Sequence, residues 1–233
     1  MHYDDTIDAD AQAFADRFIA EFEADRKEEL ARWGRTIREG LLGRAITEMI
    51  DTTDYSDLLW IDVEASGLHA DSYPIEIGWC GVDLVQTSFL IKPIPNRWTF
   101  HEWSPSSEKV HGIGWNLLNE IGHDARDVAA WLNAATSGKI VLSDNPGYDQ
   151  GWLNQLYFDT GIPMEFELMD AVHAAGVAAG AACLSQPEAQ SILARIHSRF
   201  PHPHRAGPDA RRSAAEFLAM AMPWQLDEIE AMA

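Results

Sequence analysis

The chain has 233 residues, 46% of them hydrophobic, and a formal net charge of −20 with a pI near 4.6. That apolar content is ample for a packed core, so disorder throughout is excluded, and the length suits one ordinary domain with an extension. The acidity excludes a protein that grips nucleic acid over a broad basic surface and confines any phosphate contact to a small area.

Cys80 and Cys183 lie far apart without metal-ligand spacing, which predicts reduced thiols and neither a disulfide framework nor a cysteine zinc site. No basic-then-apolar leader opens the sequence and no apolar run reaches about 18 residues, so a soluble, cytoplasmic chain without membrane contact is expected. From Ile7 to about Met49, the apolar positions Phe14, Phe18, Ile19, Phe22, Leu30, Trp33, Ile37, Leu41, Leu42 and Ile46 recur at helical spacing, with Gly34 or Gly40 as a break. Residues 1–56 therefore read as a helical N-terminal extension ending in a linker over Asp51–Asp57, and residues 57–233 as the main domain. The extension's apolar stripe has to be covered by that domain, by a second copy of the chain in a homo-oligomer, or by a protein partner.

The stretch Leu58-Leu-Trp-Ile-Asp-Val-Glu-Ala-Ser-Gly-Leu68 opens the domain with an apolar run of strand length, suited to the middle of a sheet. Ile75–Val82 and Val85–Ile91 flank Asp83 and predict a strand, a tight turn and a returning strand. Pro93 and Pro95 close the third strand, and Asn96–Trp115 is expected as a long loop. It carries Trp98, Phe100, His101, Trp103, His111 and Trp115, aromatic rings that form a satellite core or a base-stacking platform. Asp124 caps a helix running to Thr136, Lys139–Ser143 is a buried strand, and residues 147–159 form a helix with Trp152, Leu153, Leu156 and Tyr157 inward. A short strand over Phe166–Met169 ends at Asp170, which caps the first of three further helices, over 171–180, 186–199 and 207–221. Strands reached through a helix add in parallel, so the expected α/β fold is a mixed five-stranded sheet. It combines an antiparallel meander with parallel strands, is flanked by helices, and has the first strand at its centre.

Three elements carry chemistry. Asp62 and Glu64 are one residue apart, so their side chains leave the strand on one face, and no Lys or Arg lies nearby in sequence to neutralise them. A divalent cation is the natural partner for such a pair. Asn145-Pro-Gly-Tyr-Asp149 follows the fourth strand and opens a helix, which brings Asp149 to the same sheet end if the two strands run parallel; Asp144 is its competitor. His204-Arg-Ala-Gly-Pro-Asp209 opens the last helix, with a His on the loop and an Asp in the first turn facing one cavity, and Pro208 at a position that tolerates it. The bland assignments are Glu76, a sheet residue with a structural partner, and Asp170, a helix cap.

In this order the three elements resemble the exonuclease motifs of the DEDD superfamily, in its histidine-containing, DnaQ-like branch (DEDDh). The matching residues are Asp62-Val-Glu64-Ala-Ser-Gly-Leu with Pro-Ile-Glu76-Ile-Gly, then Asn145 and Asp149, then His204, Ala206 and Asp209, over about residues 57–222. The resemblance implies an RNase H-like fold and a metal-dependent 3'-to-5' exonuclease that trims single-stranded RNA or DNA 3' ends to nucleoside 5'-monophosphates. It implies two Mg²⁺ or Mn²⁺ ions, one on Asp62, Glu64 and Asp209 and one on Asp62 and Asp149, with His204 as general base and His202 as the alternative. Ala65, Ser66, Gly67, Leu68, His111 and Asn145 would lie along the terminal nucleotide. Ser66 stands where many members have Thr, and the extension has no counterpart in the minimal domain. Two other readings compete: a catalytically idle nuclease fold kept as a binding or assembly module, and a phosphodiesterase acting on dinucleotides.

Overall fold

A computed structural model describes residues 55–233. The helical extension expected over residues 1–56 lies outside them, apart from the start of a short 3-10 turn at Tyr55–Asp57. Strand β1 (Leu58–Ala65) pairs antiparallel with β2 (Pro74–Cys80), which pairs antiparallel with β3 (Gln86–Leu90). On its other side β1 runs parallel to β4 (Ile140–Ser143), and β4 parallel to β5 (Leu168–Asp170). The order β3-β2-β1-β4-β5 puts β1 at the centre, as the alternation of strands and helices predicts.

The helices are α1 (Pro105–His111), α2 (Trp115–Ile121), α3 (Ala125–Thr136), α4 (Pro146–Thr160), α5 (Ala171–Ala181), α6 (Gln186–Arg199), α7 (Ala206–Ala221) and α8 (Leu226–Ala231). They cover both faces of the sheet, and the two-residue period of β1 divides the core between them. Leu58 and Trp60 pack with Ala175, Ile196, Ala214 and Phe217 of α5 to α7. Leu59, Ile61 and Val63 pack with Val128, Leu132, Leu153 and Leu156 of α3 and α4. Helix α7 is the most deeply buried: Ala206, Ala210, Ala214, Ala215 and Ala219 are all 0% exposed, and these small side chains let it lie close across β1 and β2. Closest of all is its first turn, since a Cβ built on Gly78 of β2 would fall 2.3 Å from the Ala206 carbonyl carbon and the Gly207 nitrogen.

Three expectations are corrected. The segment 96–115 is not one loop, because it contains a 3-10 turn at Phe100–Glu102 and all of α1. Ser104 accepts from the Ser107 N–H, Pro105 fills the first turn, and Gly112 at φ 68 ends the helix, so caps rather than periodicity define it. The segment's aromatic rings do not form a separate satellite core: Trp98 and Trp103 are buried in the same core as Leu59, Ile61 and Leu132, Trp98 stacks on Tyr73 at 5.1 Å, and its Nε1 donates to Asp159 at 2.7 Å, while Phe100 is exposed. Helices α2 and α8 were not expected either; α2 buries Leu118 and α8 is held by the buried Leu226 and Ile229. Asp170 does cap α5, accepting from the His173 N–H at 2.9 Å. Among the described residues, no helix is long and apolar enough to cross a membrane.

Candidate active site

Asp62 and Glu64 continue the Leu58–Trp60 face of β1, the side on which α7 packs, and stand opposite Gly78 and Glu76 of β2. Helix α7 enters at this strand end with Asp209, so that one carboxylate oxygen each from Asp62, Glu64 and Asp209 lie within 4.8 Å of one another. A second group within the same limit joins Asp62 to Asp144 and Asp149. Parallel pairing of β1 with β4 is the cause, since the chain leaves Ser143 at the same sheet end and turns directly into α4. Asp144, weighed from sequence as a competitor of Asp149, thus stands beside it in the cluster. Ser143 Oγ donates to Asp149 Oδ2 at 2.5 Å and accepts from the Asn145 N–H at 3.0 Å, tying the turn to the buried carboxylate.

The structure also brings both candidate bases to Asp209. His202, His204 and Asp209 form a third group within 4.8 Å, His202 Nε2 is 3.4 Å from Asp209 Oδ2, and the two imidazole centroids are 4.4 Å apart. His204 sits in the left-handed region at φ 54, which costs a non-glycine residue about 1–2 kcal/mol and is held here by the turn into α7. In that turn Asp209 Oδ2 accepts from the Arg205 N–H at 3.0 Å.

These acids are poised against ionisation. Burial, then Glu64 and Asp149, push Asp62 well above the ordinary carboxylate range. Burial and Asp209 push Glu64 up to about 8, and burial pushes Asp209 up to about 7 against the Arg205 N–H bond. Burial also raises Asp149 well above its usual value, although the Ser143 hydroxyl favours the carboxylate. Asp209 Oδ1 is buried without a hydrogen-bond partner among the described residues. Converging buried carboxylates of this kind could hold a hard, oxygen-seeking divalent cation.

Sequence reasoning left the partner of Glu76 unnamed. It is Arg205, whose Nε and Nη2 donate to Glu76 Oε2 and Oε1 at 2.9 and 2.8 Å, while the Ala206 N–H donates to Oε2 at 3.0 Å and Ser88 Oγ to Oε1 at 3.3 Å. This fork fastens the His204–Asp209 turn onto β2, and the residues it joins are too far apart in sequence to be paired by inspection. The glycine interrupting the apolar run at Gly78 was the visible sign that something approaches the strand closely.

Of the residues expected along the substrate, Ala65 and Ser66 are buried at the end of β1 and Leu68 is 56% exposed. The segment after β1 is tied to the aromatic region: the Ser104 N–H donates to the Ser66 carbonyl at 2.8 Å, and a Cβ on Gly67 would meet the His69 ring at 2.9 Å. His111 is buried, its Nδ1 accepts from the Ile113 N–H at 3.0 Å, and burial pushes its pKa down to about 4. The ring is therefore neutral with its proton on Nε2. A separate hollow of about 470 Å³, lined by Phe100, Glu108, Gly114, Trp115 and Asn116, includes none of the clustered carboxylates.

Five-stranded mixed sheets with helices on both faces and acids at the end of the central strand define the RNase H-like exonuclease fold, and solved structures of that fold are similar to this chain. Escherichia coli exonuclease I in complex with a dA16 oligonucleotide matches with a TM-score of 0.54 at 15% identity, over 73% of this chain and 42% of that one. The same enzyme with a dT13 oligonucleotide matches at 0.51 and 16% identity. A moderately thermophilic exonuclease I from Methylocaldum szegediense matches at 0.50 and 13% identity, again over 73% of this chain and 42% of the other. The chain therefore spans less than half the length of these proteins, and the likeness at such identities is one of fold. No family model matches the chain, and no curated protein matches it.

Proposed function

We propose that the chain is a metal-dependent 3'-to-5' exonuclease of the DEDDh kind, a domain over residues 57–233 that releases nucleoside 5'-monophosphates from single-stranded ends. The observation that carries this reading is the convergence of Asp62, Glu64, Asp144, Asp149 and Asp209 in two groups sharing Asp62, with His204 against Asp209. Asp62, Glu64 and Asp209 would hold one Mg²⁺ or Mn²⁺, and Asp62 with Asp149, Asp144 being within reach, a second. Ions held there would supply charge stabilisation at the phosphate and favour loss of a proton from the attacking water. An unprotonated ring nitrogen of His204 takes the proton of the attacking water as its oxygen bonds to phosphorus and the bond to the leaving 3' oxygen breaks. The neutral, buried His111 would back the wall along which the terminal nucleotide lies, beside Ala65, Ser66, Gly67, Leu68 and Asn145.

The solved neighbours carry dA16 and dT13 oligonucleotides, which makes single-stranded DNA the first substrate to try and matched RNA the second. A 5'-labelled strand should shorten stepwise from its 3' end in Mg²⁺ or Mn²⁺, and stop in chelator and in the Asp62→Ala and Asp209→Ala variants. Cleavage confined to dinucleotides, or undiminished shortening in chelator, would overturn the proposal.

A further inference from the structure

The loop before α7 reads Pro201-His202-Pro203-His204, and it places two imidazoles against one end of a carboxylate that the proposed centre also uses. We infer that His202, His204 and Asp209 form a second, softer cation site, for Zn²⁺ or a like transition metal, whose filling takes His204 and Asp209 away from the nuclease centre and switches it off. The switching half rests on the exonuclease reading above; the metal site itself does not.

The donor chemistry separates the two sites. Two imidazole nitrogens and one carboxylate oxygen are a zinc-type set that leaves a fourth position for water, whereas the neighbouring groups offer carboxylate oxygens alone and suit Mg²⁺ or Mn²⁺. The geometry is compatible: the three donors lie within 4.8 Å of one another, and His202 Nε2 is 3.4 Å from Asp209 Oδ2. Bonds of about 2.0–2.1 Å in a tetrahedral shell set donors roughly 3.3 Å apart. The site is also largely pre-formed. Prolines on both sides of His202 restrict its backbone, and His204 is fixed at φ 54 by the turn into α7. Asp209 is 5% exposed, its Oδ2 is anchored by the Arg205 N–H, and its Oδ1 is buried without a partner among the described residues. His202, by contrast, is exposed, so a cation can be delivered from solvent.

Antagonism follows from sharing. Asp209 belongs both to this group and to the one with Asp62 and Glu64, and a carboxylate drawn to one cation serves the other less well. A His204 nitrogen whose lone pair binds a metal cannot take a proton. Because the antagonism through Asp209 is reciprocal while Mg²⁺ competes poorly for imidazole, raising Mg²⁺ should restore activity less fully than removal of His202.

The test uses the full chain and its His202→Ala and His202→Cys variants, first titrated with Co²⁺ in the absence of other metals and followed by visible absorption. The wild-type protein should develop the intense bands of four-coordinate cobalt with nitrogen ligands, His202→Ala should lack them, and His202→Cys should bind with a thiolate charge-transfer band instead. Then Mg²⁺-dependent cleavage is titrated with Zn²⁺, each protein against itself without zinc, and His202→Ala should need at least about tenfold more zinc for half-inhibition. Cobalt spectra that do not differ between wild type and His202→Ala overturn the site, and equal zinc sensitivity overturns the switch. If none of the proteins cleaves nucleic acid, the exonuclease reading fails while the cobalt spectra still decide the site.

Discussion

On the outer surface, α6 and α8 bring Asp227 and Glu230 onto a single guanidinium. Arg195 donates to Asp227 Oδ1 at 2.5 Å and to the two Glu230 oxygens at 2.7 and 2.8 Å, and its hydrogen bonds hold Glu230 below the usual carboxylate range. At the end of β1, Asp62, Glu64, Asp144, Asp149 and Asp209 converge with far less positive charge, and burial drives Asp62, Glu64, Asp149 and Asp209 upward. The first arrangement uses acids to fasten two helices and is complete as it stands. The second costs the free fold stability and is built so that a cation could complete it.

The sharpest way to break this contrast is Asp62→Asn, which keeps shape and removes charge. Cleavage should fall by at least about 10²–10³-fold, the size of losing one electrostatic contact to the transition state. In chelator, the same variant should melt at a higher temperature than wild type, because a buried acid that resists ionisation has left the cluster. A variant that lost activity and metal-free stability together would show that Asp62 serves the fold.

Arg205→Met comes next. It strands the 1%-exposed Glu76 with two remaining donors, Ser88 Oγ and the Ala206 N–H. Urea unfolding should show a loss of about 2–3 kcal/mol, below the roughly 3–5 kcal/mol of a fully buried pair because the Arg205 side chain is 42% exposed. Activity should fall with it as the His204–Asp209 turn loosens, and adding Glu76→Gln should recover much of the stability.

The pH dependence of the metal-free protein is a third test. Glu64 at about 8 and Asp209 at about 7 keep protons that the unfolded chain, with carboxylates near their ordinary values, has released. This part of the stability is therefore fully present below the ordinary carboxylate values of about 4, is lost progressively as pH rises above them, and is gone once pH has passed about 7 for Asp209 and about 8 for Glu64. In chelator the melting temperature should drop by several degrees over that window, and saturating Mg²⁺ should flatten the curve, releasing protons on binding. The smallest effect is expected at Arg195→Ala. Cleavage should be unchanged and melting should shift little, since exposed ion pairs are screened and weak.

Much of this contrast was legible in the sequence. The period of β1 placed Asp62 and Glu64 on one face, and the alternation of helices with later strands gave the parallel neighbour that brings Asp149 to the same end. The limits were physical. Helix α1 is defined by Ser104, Pro105 and Gly112 rather than by an apolar stripe, so counting hydrophobic residues missed it. Asp144 looked like a competitor of Asp149 because the turn that presents both to Asp62 is a tertiary fact. The Arg205–Glu76 fork crosses from the residue that precedes α7 to β2, and although Gly78 signals a close approach to the strand, nothing local names the pair.

Gly78 bears on how such a centre could be altered. It is the β2 residue paired with Asp62, and the first turn of α7 rests on its bare backbone. The separation of Asp62 from Asp209 is therefore gauged by main chain touching main chain, not by the rotamers of large side chains. The far end of α7, around Phe217 and Met220, can accept repacking for stability with the gauge intact, whereas one methyl group at position 78 would reset the spacing of the carboxylates at once.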